Sequence, residues 1–461
     1  MPALPEHFRF GVATAGFQIE GGYNGPGQPA NNWAGWEQAG RVERSGIALD
    51  FWNDWEHQLD LAKAAGCDAF RLSVEWARCE PREGEHDETA LDHYDAILAG
   101  CHERGLEPMV TLHHFTHPMW LGEEFWLRPD APELWHAWAT RAVERLAPRC
   151  RNWVTLNEIN IYALQTWFTA EFPPGRRVDV AAVVRTLDHM LTAHVLAYDT
   201  ILERRPDAVV STNNFAMSVY ELDRLLIDVL LGRSHGVARH DLHPWLVERR
   251  SAYHRAVAPR SARERAMRRI CASAVPLEKA LPRAIAAVYA SANERCLGNV
   301  QIDWYDPVVS NHIRIPGHRT AGGRNWQPGR ALWDDPPDPP GLVRYCRSDT
   351  EPGLDVWIVE NGLCNRVVGA TSYPRLDGWD RPRYLREHLG AVARAVSDGL
   401  PLSAYFHWTL ADNYEWGSYE PRFGLYGIER EGDRIAWSRL DAMGRDSAGT
   451  YRDLIAMLRD G

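Results

Sequence analysis

Two glutamates in distant parts of the chain stand at the ends of apolar, strand-like runs. Glu158 ends the peptide TLNE, and Glu360 is the central residue of IVENG. Glycoside hydrolysis with retention needs two carboxyl groups about 5 Å apart, one as general acid and one as nucleophile. Neighbouring strands of a barrel can bring distant residues that close. The pair therefore predicts cleavage of a glycosidic bond, with Glu360 as nucleophile and Glu158 as general acid, then base.

The two roles follow from the charge of the pair. An ionised Glu360 should raise the pKa of Glu158 and keep it protonated for the leaving group. Once Glu360 becomes a glycosyl ester that charge is gone, and Glu158 can take a proton from water. Arg71 is a candidate to keep Glu360 ionised through a charged hydrogen bond. The alternative for Arg71 is a purely structural ion pair within the barrel.

Short β-rich runs alternate with longer amphipathic patterns, which predicts βα units closing into a parallel barrel. We expect one α/β domain over 1–461, a single (β/α)8 TIM barrel with long loops, whose strand ends carry the chemistry. The predicted strands are Arg9–Ala15, Ala69–Val74, Pro108–His113, Trp153–Asn157, Val209–Asn213, Val300–Tyr305, Val356–Glu360 and Ser403–Trp408.

Helices are predicted between these strands, and two segments depart from the alternation. The helical candidates are Phe51–Ala65, Thr89–Arg104, Pro132–Ala147, Val180–Arg205 and Arg381–Asp398. A long Ala/Arg-rich helical insertion is expected after the fifth strand, over about 217–297. Its arginines indicate either a solvated helix face or a lid over the substrate. The proline-rich segment Asp334–Gly341 is expected to be a rim loop, because proline removes a backbone N–H and fixes φ.

Polar and aromatic side chains gather at the predicted strand ends, although barrel packing residues are mostly branched and apolar. They are Gln18, Arg71, Glu75, His113, His114, Asn157, Glu158, Asp303, Tyr305, Glu360, His407 and Trp408. The late segment HWTLADNYEW adds flat aromatic rings and hydrogen-bonding groups, the two features that sugar recognition requires. Convergence of this many on one face indicates a carbohydrate site.

Composition narrows the class of partner. The 461 residues carry a net charge of −11, which argues against nucleic acid, because binding a polyanion relies on a basic surface. No run approaches the roughly 20 apolar residues of a membrane span. The eight cysteines lack metal-type spacing, so we expect reduced thiols and a cytoplasmic location. No cofactor is expected, the partner is a small β-glycoside, and the oligomeric state is left open.

Two other functions compete with this interpretation. His113, His114 and His117 could indicate a metal-dependent barrel hydrolase, although neighbouring strand residues point to opposite faces and no helical HExxH accompanies them. We expect no metal. A catalytically silent glycoside-binding protein on the same fold is the other alternative, because a barrel alone does not guarantee catalysis.

From about Phe8 to Ile455 the sequence resembles glycoside hydrolase family 1, the β-glucosidase and β-galactosidase family. The likeness lies in FRFGVATAGFQIEG, in LSVEW after Arg71, in TLHH, TLNE and VENG, and in the last block from Trp408 to RFG. The resemblance implies a retaining exo-β-glycosidase. It implies sugar-binding roles for Gln18, His114, Asn157, Tyr305, Trp408, Glu415, Trp416 and Phe423. Members acting on 6-phosphorylated sugars replace the glutamate at position 415, so its presence favours an unphosphorylated sugar.

The departures from the family pattern are also specific. Ile159 replaces the proline after the acid, and Asn160 replaces a tryptophan. The sixth-strand Asn-x-Tyr becomes Asp303-Trp304-Tyr305, and the segment between Glu415 and Arg422 is one residue shorter. These changes leave the two carboxylates in place. They leave open the preference among glucose, galactose, fucose and mannose, the aglycone, and hydrolysis against transglycosylation.

Overall fold

The computed structural model describes residues 1–217, 219–257, 262–274, 280–305, 337–369, 371–432 and 434–460. Its centre is a parallel barrel with helices outside, as the alternation predicts. The strands of the barrel sheet are β1 Arg9–Ala13, β2 Ala69–Ser73, β3 Glu107–Thr111, β4 Asn152–Val154, β5 Val209–Ser211, β6 Asn213–Phe215, β7 Val300–Trp304, β8 Val356–Asn361 and β11 Leu402–Trp408. The hairpins β9 Arg366–Val368 with β10 Thr371–Tyr373 and β12 Gly427–Glu431 with β13 Arg434–Ser438 follow β8 and β11.

The barrel closes through its fifth strand, which is divided. The hydrogen-bonded order is β5-β4-β3-β2-β1-β11-β8-β7-β6, and β5 and β6 are consecutive segments separated by Thr212. β5 pairs with β4, whereas β6 pairs with β7. The prediction of one strand over Val209–Asn213 was therefore wrong in detail. Thr212 lies outside the ladder, and its hydroxyl donates to the Leu156 carbonyl at 2.7 Å.

Fifteen α-helices surround this sheet in the described residues. They are α1 Gly16–Ile19, α2 Ala34–Gln38, α3 Phe51–Ala64, α4 Trp76–Cys79, α5 Glu88–Glu103, α6 Ala131–Leu146, α7 Ile159–Trp167, α8 Val180–Arg204, α9 Arg224–Leu231, α10 Leu242–Ala256, α11 Ala262–Ala274, α12 Pro282–Ala290, α13 Pro339–Asp349, α14 Arg381–Ser397 and α15 Ser447–Asp460. Capping explains several starts: Asp87, Asp179 and Asp380 accept from backbone N–H groups of the first turn. No described helix is both long enough and apolar enough to span a membrane.

The expected rim loop at Asp334–Gly341 needs correction. Residues 334–336 lie outside the described residues, but Pro339 begins α13. Asp338 caps this helix by accepting from Gly341 N at 3.0 Å. Prolines at the first helical positions cost little, because the N–H groups that they lack have no intrahelical partner there.

The segment after β6 is helical, as expected, and contains α9 to α12. Its arginines do not form one solvated face. Arg255, Arg265 and Arg269 are exposed, whereas Arg268 is buried and Arg249 pairs with Asp228 and Glu351. Arg260 lies outside the described residues, and Arg250 pairs with Glu221 at 3.4 Å. Ion pairs such as Arg249 with Asp228 therefore connect the helices of this insertion to one another.

Candidate active site

Glu158, the predicted acid, lies at the turn between β4 and α7. Its backbone has φ 39° and ψ 57°, a left-handed conformation that is uncommon for a residue with a side chain. The Glu158 N–H donates to Asn213 Oδ1 at 3.3 Å, and Asn157 N donates to the His113 carbonyl at 2.8 Å. Contacts from the neighbouring strands therefore hold this turn, and they direct Glu158 to the carboxyl ends of the strands.

Three carboxyl groups converge at this end of the barrel. One oxygen each from Glu158, Asp303 and Glu360 lie within 4.8 Å of one another, and all three residues are buried. Burial raises the pKa of Glu158 well above its ordinary value, and the charges of Asp303 and then Glu360 raise it further. The expectation that Glu360 raises this pKa holds in direction, but burial is the largest cause and Asp303 the next.

Arg71 is fully buried and joins Glu360 to its surroundings. Its Nη1 donates to Glu360 Oε1 at 2.8 Å and its Nε to Thr111 Oγ1 at 3.0 Å, while Nη2 donates to Asn157 Oδ1. Burial raises the pKa of Glu360, and the Arg71 charge opposes this effect. The geometry allows Arg71 to favour the ionised form of Glu360.

Tyr305, directly after β7, binds the other carboxyl oxygen of Glu360. Its Oη donates to Glu360 Oε2 at 2.8 Å. Both oxygens of Glu360 thus accept a hydrogen bond, one from Arg71 and one from Tyr305, and each bond lowers the pKa that burial raises. Because both donors fix the carboxylate plane, Glu360 is held in one orientation.

A sugar-sized set of polar and aromatic groups lies beside the carboxyl cluster. Gln18 Nε2 donates to Glu415 Oε2 at 3.2 Å, and Trp408 Nε1 donates to Glu415 Oε1 at 2.9 Å. The His114 ring stacks on both Trp408 and Trp416, with centroids 5.8 and 5.7 Å away. Burial raises the pKa of Glu415 to about 8. This arrangement offers hydrogen-bonding groups beside flat apolar surfaces.

His114 and Asn157 connect this set to the catalytic end. Asn157 Nδ2 and His114 Nε2 are 3.2 Å apart. Burial and the neighbouring Arg71 lower the pKa of His114 well below its usual value, so the ring is neutral at ordinary pH. A neutral ring can donate from one nitrogen and accept at the other, as hydroxyl recognition requires.

Gly362 allows the ends of β8 and β11 to approach. A Cβ at this position would lie 2.2 Å from the Trp408 carbonyl oxygen and 3.2 Å from the Phe423 ring. Phe423 in turn meets the Tyr305 ring edge to face, at 5.9 Å. The glycine of the VENG motif therefore lets the end of β8 lie close to the end of β11 and to the Phe423 ring.

Three strand-end residues named by the sequence take other positions. His113 Nε2 accepts from Trp126 Nε1 at 3.2 Å, on the face opposite His114. His407 contacts the Phe423 carbonyl through Nε2 at 3.2 Å. Glu75 accepts from Ser73 and Thr116. All three are buried and bonded within the protein, so we assign them to the support of the barrel.

Asn213 was not identified as a site residue from the sequence. Its Nδ2 donates to Asn157 Oδ1 at 2.9 Å and to Asp303 Oδ2, while its Oδ1 accepts from Glu158 N. The amide thus contacts three site residues at once. Its place at the end of the predicted fifth strand was the available signal, but a strand continuing through Thr212 gave it no distinct role.

The histidine cluster does not come together in the described residues. There, a set of closely spaced ligating atoms occurs at Glu158, Asp303 and Glu360, which includes no histidine. Arg71 lies against this set with its Nη1 2.8 Å from Glu360. Its positive charge disfavours a second cation at the same oxygens.

Known proteins share both this fold and this sequence pattern. The family model described as glycosyl hydrolase family 1 matches residues 2–234 and 328–459. A β-glucosidase of Agrobacterium sp. is 28% identical, with 92% of this chain and 91% of that protein covered. A bifunctional β-D-glucosidase/β-D-fucosidase of Bifidobacterium breve is 28% identical, with 98% of each covered. The solved β-glucosidase of Thermotoga maritima in complex with deoxynojirimycin has a TM-score of 0.73 at 21% identity, covering 100% of this chain and 99% of that one.

The barrel and its paired glutamates define the class as a glycoside hydrolase. Because the family model covers most of the sequence, the chain belongs to glycosyl hydrolase family 1. Residues 235–327, between the two matched segments, include α10 to α12 and β7. The part of the chain that departs most from the family pattern thus lies between β6 and the segment leading to β8.

Proposed function

We propose that this glycoside hydrolase is a retaining, exo-acting β-glycosidase that removes a terminal unphosphorylated sugar from a small β-glycoside. β-Glucosidase activity is the first expectation, because relatives covering nearly the whole chain carry that name. The observation that carries the proposal is the carboxyl spacing. Oxygens of Glu158 and Glu360 lie within 4.8 Å, whereas an inverting pair would be about 6.5–9.5 Å apart to leave room for water.

The proposed first step forms a bond between Glu360 and the anomeric carbon. The bond from that carbon to the leaving oxygen breaks, and the leaving oxygen takes the proton of Glu158. In the second step Glu158 takes a proton from water, and the water oxygen replaces Glu360 at the same carbon. Two displacements restore the original anomeric configuration and both carboxyl groups.

The surrounding residues support a neutral sugar. The carboxyl of Glu415 lies between Gln18 and Trp408, where it could accept from sugar hydroxyl groups. In its ionised form this carboxyl group would repel a phosphate. The stacked rings of His114, Trp408 and Trp416 offer apolar faces for the sugar.

We also propose a cytoplasmic location, which cell fractionation would test.

Two variants test the assignment of the glutamates. Glu360→Gln should abolish hydrolysis of nitrophenyl β-glycosides, because an amide cannot form the ester. Glu158→Ala should lose most activity on poor leaving groups, and azide should restore turnover of an activated glycoside with a β-glycosyl azide as product. The matched control is Glu107→Gln, at the start of β3 where it binds Asn152, which should retain activity. Full activity in either glutamate variant without azide contradicts the proposal.

The substrate is tested separately. A panel of nitrophenyl glycosides differing at C2, C4 and C6 should give the highest kcat/KM with the β-glucoside. Proton NMR of the first-formed product should show the β-anomer. A first-formed α-anomer would contradict retention, and a preference for 6-phosphorylated substrates would contradict the role given to Glu415.

A further inference from the structure

Asp303 is the buried carboxyl group that the two-glutamate mechanism leaves without a role. It lies in β7 opposite Glu360 of β8, and its carboxyl faces Glu158. The family pattern that the sequence resembles has asparagine at this position, where this chain has a carboxyl group in place of the amide. A buried carboxylate is costly unless it is paired or hydrogen-bonded.

The polar groups around Asp303 indicate where a proton shared with Glu158 would lie. Asn213 Nδ2 donates to Asp303 Oδ2, which is therefore an acceptor. Within the described residues no N–H or O–H group donates to Asp303 Oδ1 or to Glu158 Oε1, although both oxygens are buried. One oxygen of each carboxyl group lies within 4.8 Å of the other. Two carboxyl groups can share a hydrogen bond only when one of them is protonated.

We infer that Asp303 is a positioning residue for the acid/base: its carboxylate accepts the proton of Glu158 and holds that proton in the site. The inference rests on the proposed function. Glu158 is the donor of the pair, because the proposed first step needs a proton on Glu158 for the leaving oxygen. One shared proton satisfies both buried oxygens and reduces the number of negative charges.

Within the described residues, the charged groups that act on the pair come from several strands of the barrel. Arg71 from β2 is the cation, and Glu360 from β8 is the other anion. Tyr305 after β7 and Glu415 after β11 are also near. The charges of Glu158, Asp303 and Glu415 all raise the pKa of Tyr305. His114 after β3 stays neutral because burial and Arg71 lower its pKa. The charge of Asp303 thus acts on Glu158 together with Glu360, against Arg71.

Asp303 differs from Glu360 in the second half of the reaction. The charge of Glu360 disappears when the ester forms, but the charge of Asp303 remains. Glu158 and Asp303 then face each other as two carboxylates, and their repulsion makes Glu158 a stronger base toward water. Asp303 should therefore extend acid catalysis to higher pH in the first step and raise the basicity of Glu158 in the second.

The test compares pH profiles of the whole enzyme with those of Asp303→Asn, which keeps the shape and removes the charge. For a glycoside with a poor leaving group, the basic limb of kcat/KM should move to lower pH by about one unit or more, because a nearby anion no longer disfavours ionised Glu158. For a dinitrophenyl glycoside, whose turnover is limited by the second step, the acidic limb of kcat should also move to lower pH.

Asp349→Asn is the matched control, because Asp349 is another fully buried carboxyl group and interacts with Arg224 of the insertion. Its profiles should coincide with those of the unmodified enzyme. If Asp303→Asn does not fold, Asp303→Ser removes the same charge in the same comparison. A structural role alone would lower stability or kcat without moving either limb.

Failures of the two proposals are distinguishable. If the unmodified enzyme hydrolyses glycosides and Glu360→Gln does not, but Asp303→Asn leaves both limbs in place, the inference is wrong and the proposed function stands. If the unmodified enzyme loses activity with EDTA and regains it with Mg²⁺, a cation lies between the oxygens and the inference is also wrong. Full activity of Glu360→Gln would contradict the proposed function itself.

Discussion

Buried charges gather in two regions of this protein, and the two are balanced differently. The insertion cluster consists of Arg224, Asp228, Arg249, Asp349 and Glu351. There Arg224 Nε contacts Asp228 Oδ1 at 2.9 Å, Arg249 Nη2 contacts the same oxygen at 2.8 Å, and both arginines bind Glu351. These contacts join α9, α10 and the end of α13.

The catalytic cluster consists of Arg71, Glu158, Asp303 and Glu360. Arg71 is the only cation among three carboxyl groups within the described residues, and it bonds directly to Glu360. The remaining two carboxyl groups face each other and need a proton. The insertion cluster has two arginines for three carboxyl groups, whereas the catalytic cluster has one arginine for three. The larger deficit of positive charge in the barrel leaves a proton that can take part in chemistry.

Removing the cation of the catalytic cluster should have the largest effect. In Arg71→Met the Glu360 carboxylate loses its buried partner, a loss that costs about 3–5 kcal/mol for such pairs. If this cost falls on the ionised form of Glu360, kcat/KM drops by roughly 10²- to 10⁴-fold. The acidic limb should move to higher pH, because the pKa of Glu360 rises. Steady-state kinetics over pH measure both effects, and an unmoved acidic limb would contradict them.

The matched change in the insertion cluster should affect stability instead. Arg224→Met leaves Asp228, Asp349 and Glu351 with one arginine fewer and should lower the free energy of unfolding by about 3–5 kcal/mol. Urea titration measures this loss. Activity of the folded enzyme at low temperature should remain near that of the unmodified protein. An equal loss of activity in both arginine variants would show that the two clusters do not differ as described.

A smaller change sharpens the same comparison. Tyr305→Phe removes one donor to Glu360 and should lower kcat/KM roughly 10- to 100-fold, since a hydrogen bond to a charged group contributes about 1.5–3 kcal/mol. The control is Tyr345→Phe, because Tyr345 Oη donates to Asp223 at 2.9 Å in the insertion. That variant should lose stability and keep its kinetics. A loss of kcat/KM in Tyr345→Phe but not in Tyr305→Phe would contradict the comparison and would place the functional tyrosine in contact with the insertion.

The smallest expected effect concerns Glu415, whose pKa burial raises to about 8. Between its unfolded value, about 4.3, and about 8, the folded protein binds more protons than the unfolded chain, so stability falls as pH rises. Glu415→Gln should reduce this slope by at most about 1.4 kcal/mol per pH unit. Urea unfolding at several pH values measures the slope. The exposed Glu429 offers a control, because Glu429→Gln should leave the slope of the unfolding free energy against pH unchanged.

Much of this molecule was predictable because its signals are local. The strand at Val356–Glu360 is a continuous apolar run, and the helix predicted over Thr89–Arg104 was found at Glu88–Glu103. The proline-rich segment misled because composition excludes a helix interior but not its first turn. At Pro339 the capping Asp338 decided the outcome.

The sequence by itself determined the barrel and singled out Glu158 and Glu360, because strand periodicity and polar strand ends can be recognised within short stretches of sequence. Only the tertiary structure decided the surroundings of those glutamates. Asn213 joins the site because β5 ends at Ser211 and β6 begins afresh beside β7. Asp303 faces Glu158 because barrel closure places the ends of β4 and β7 around one space. Such proximity depends on register and closure between distant strands, and no short stretch of sequence encodes it.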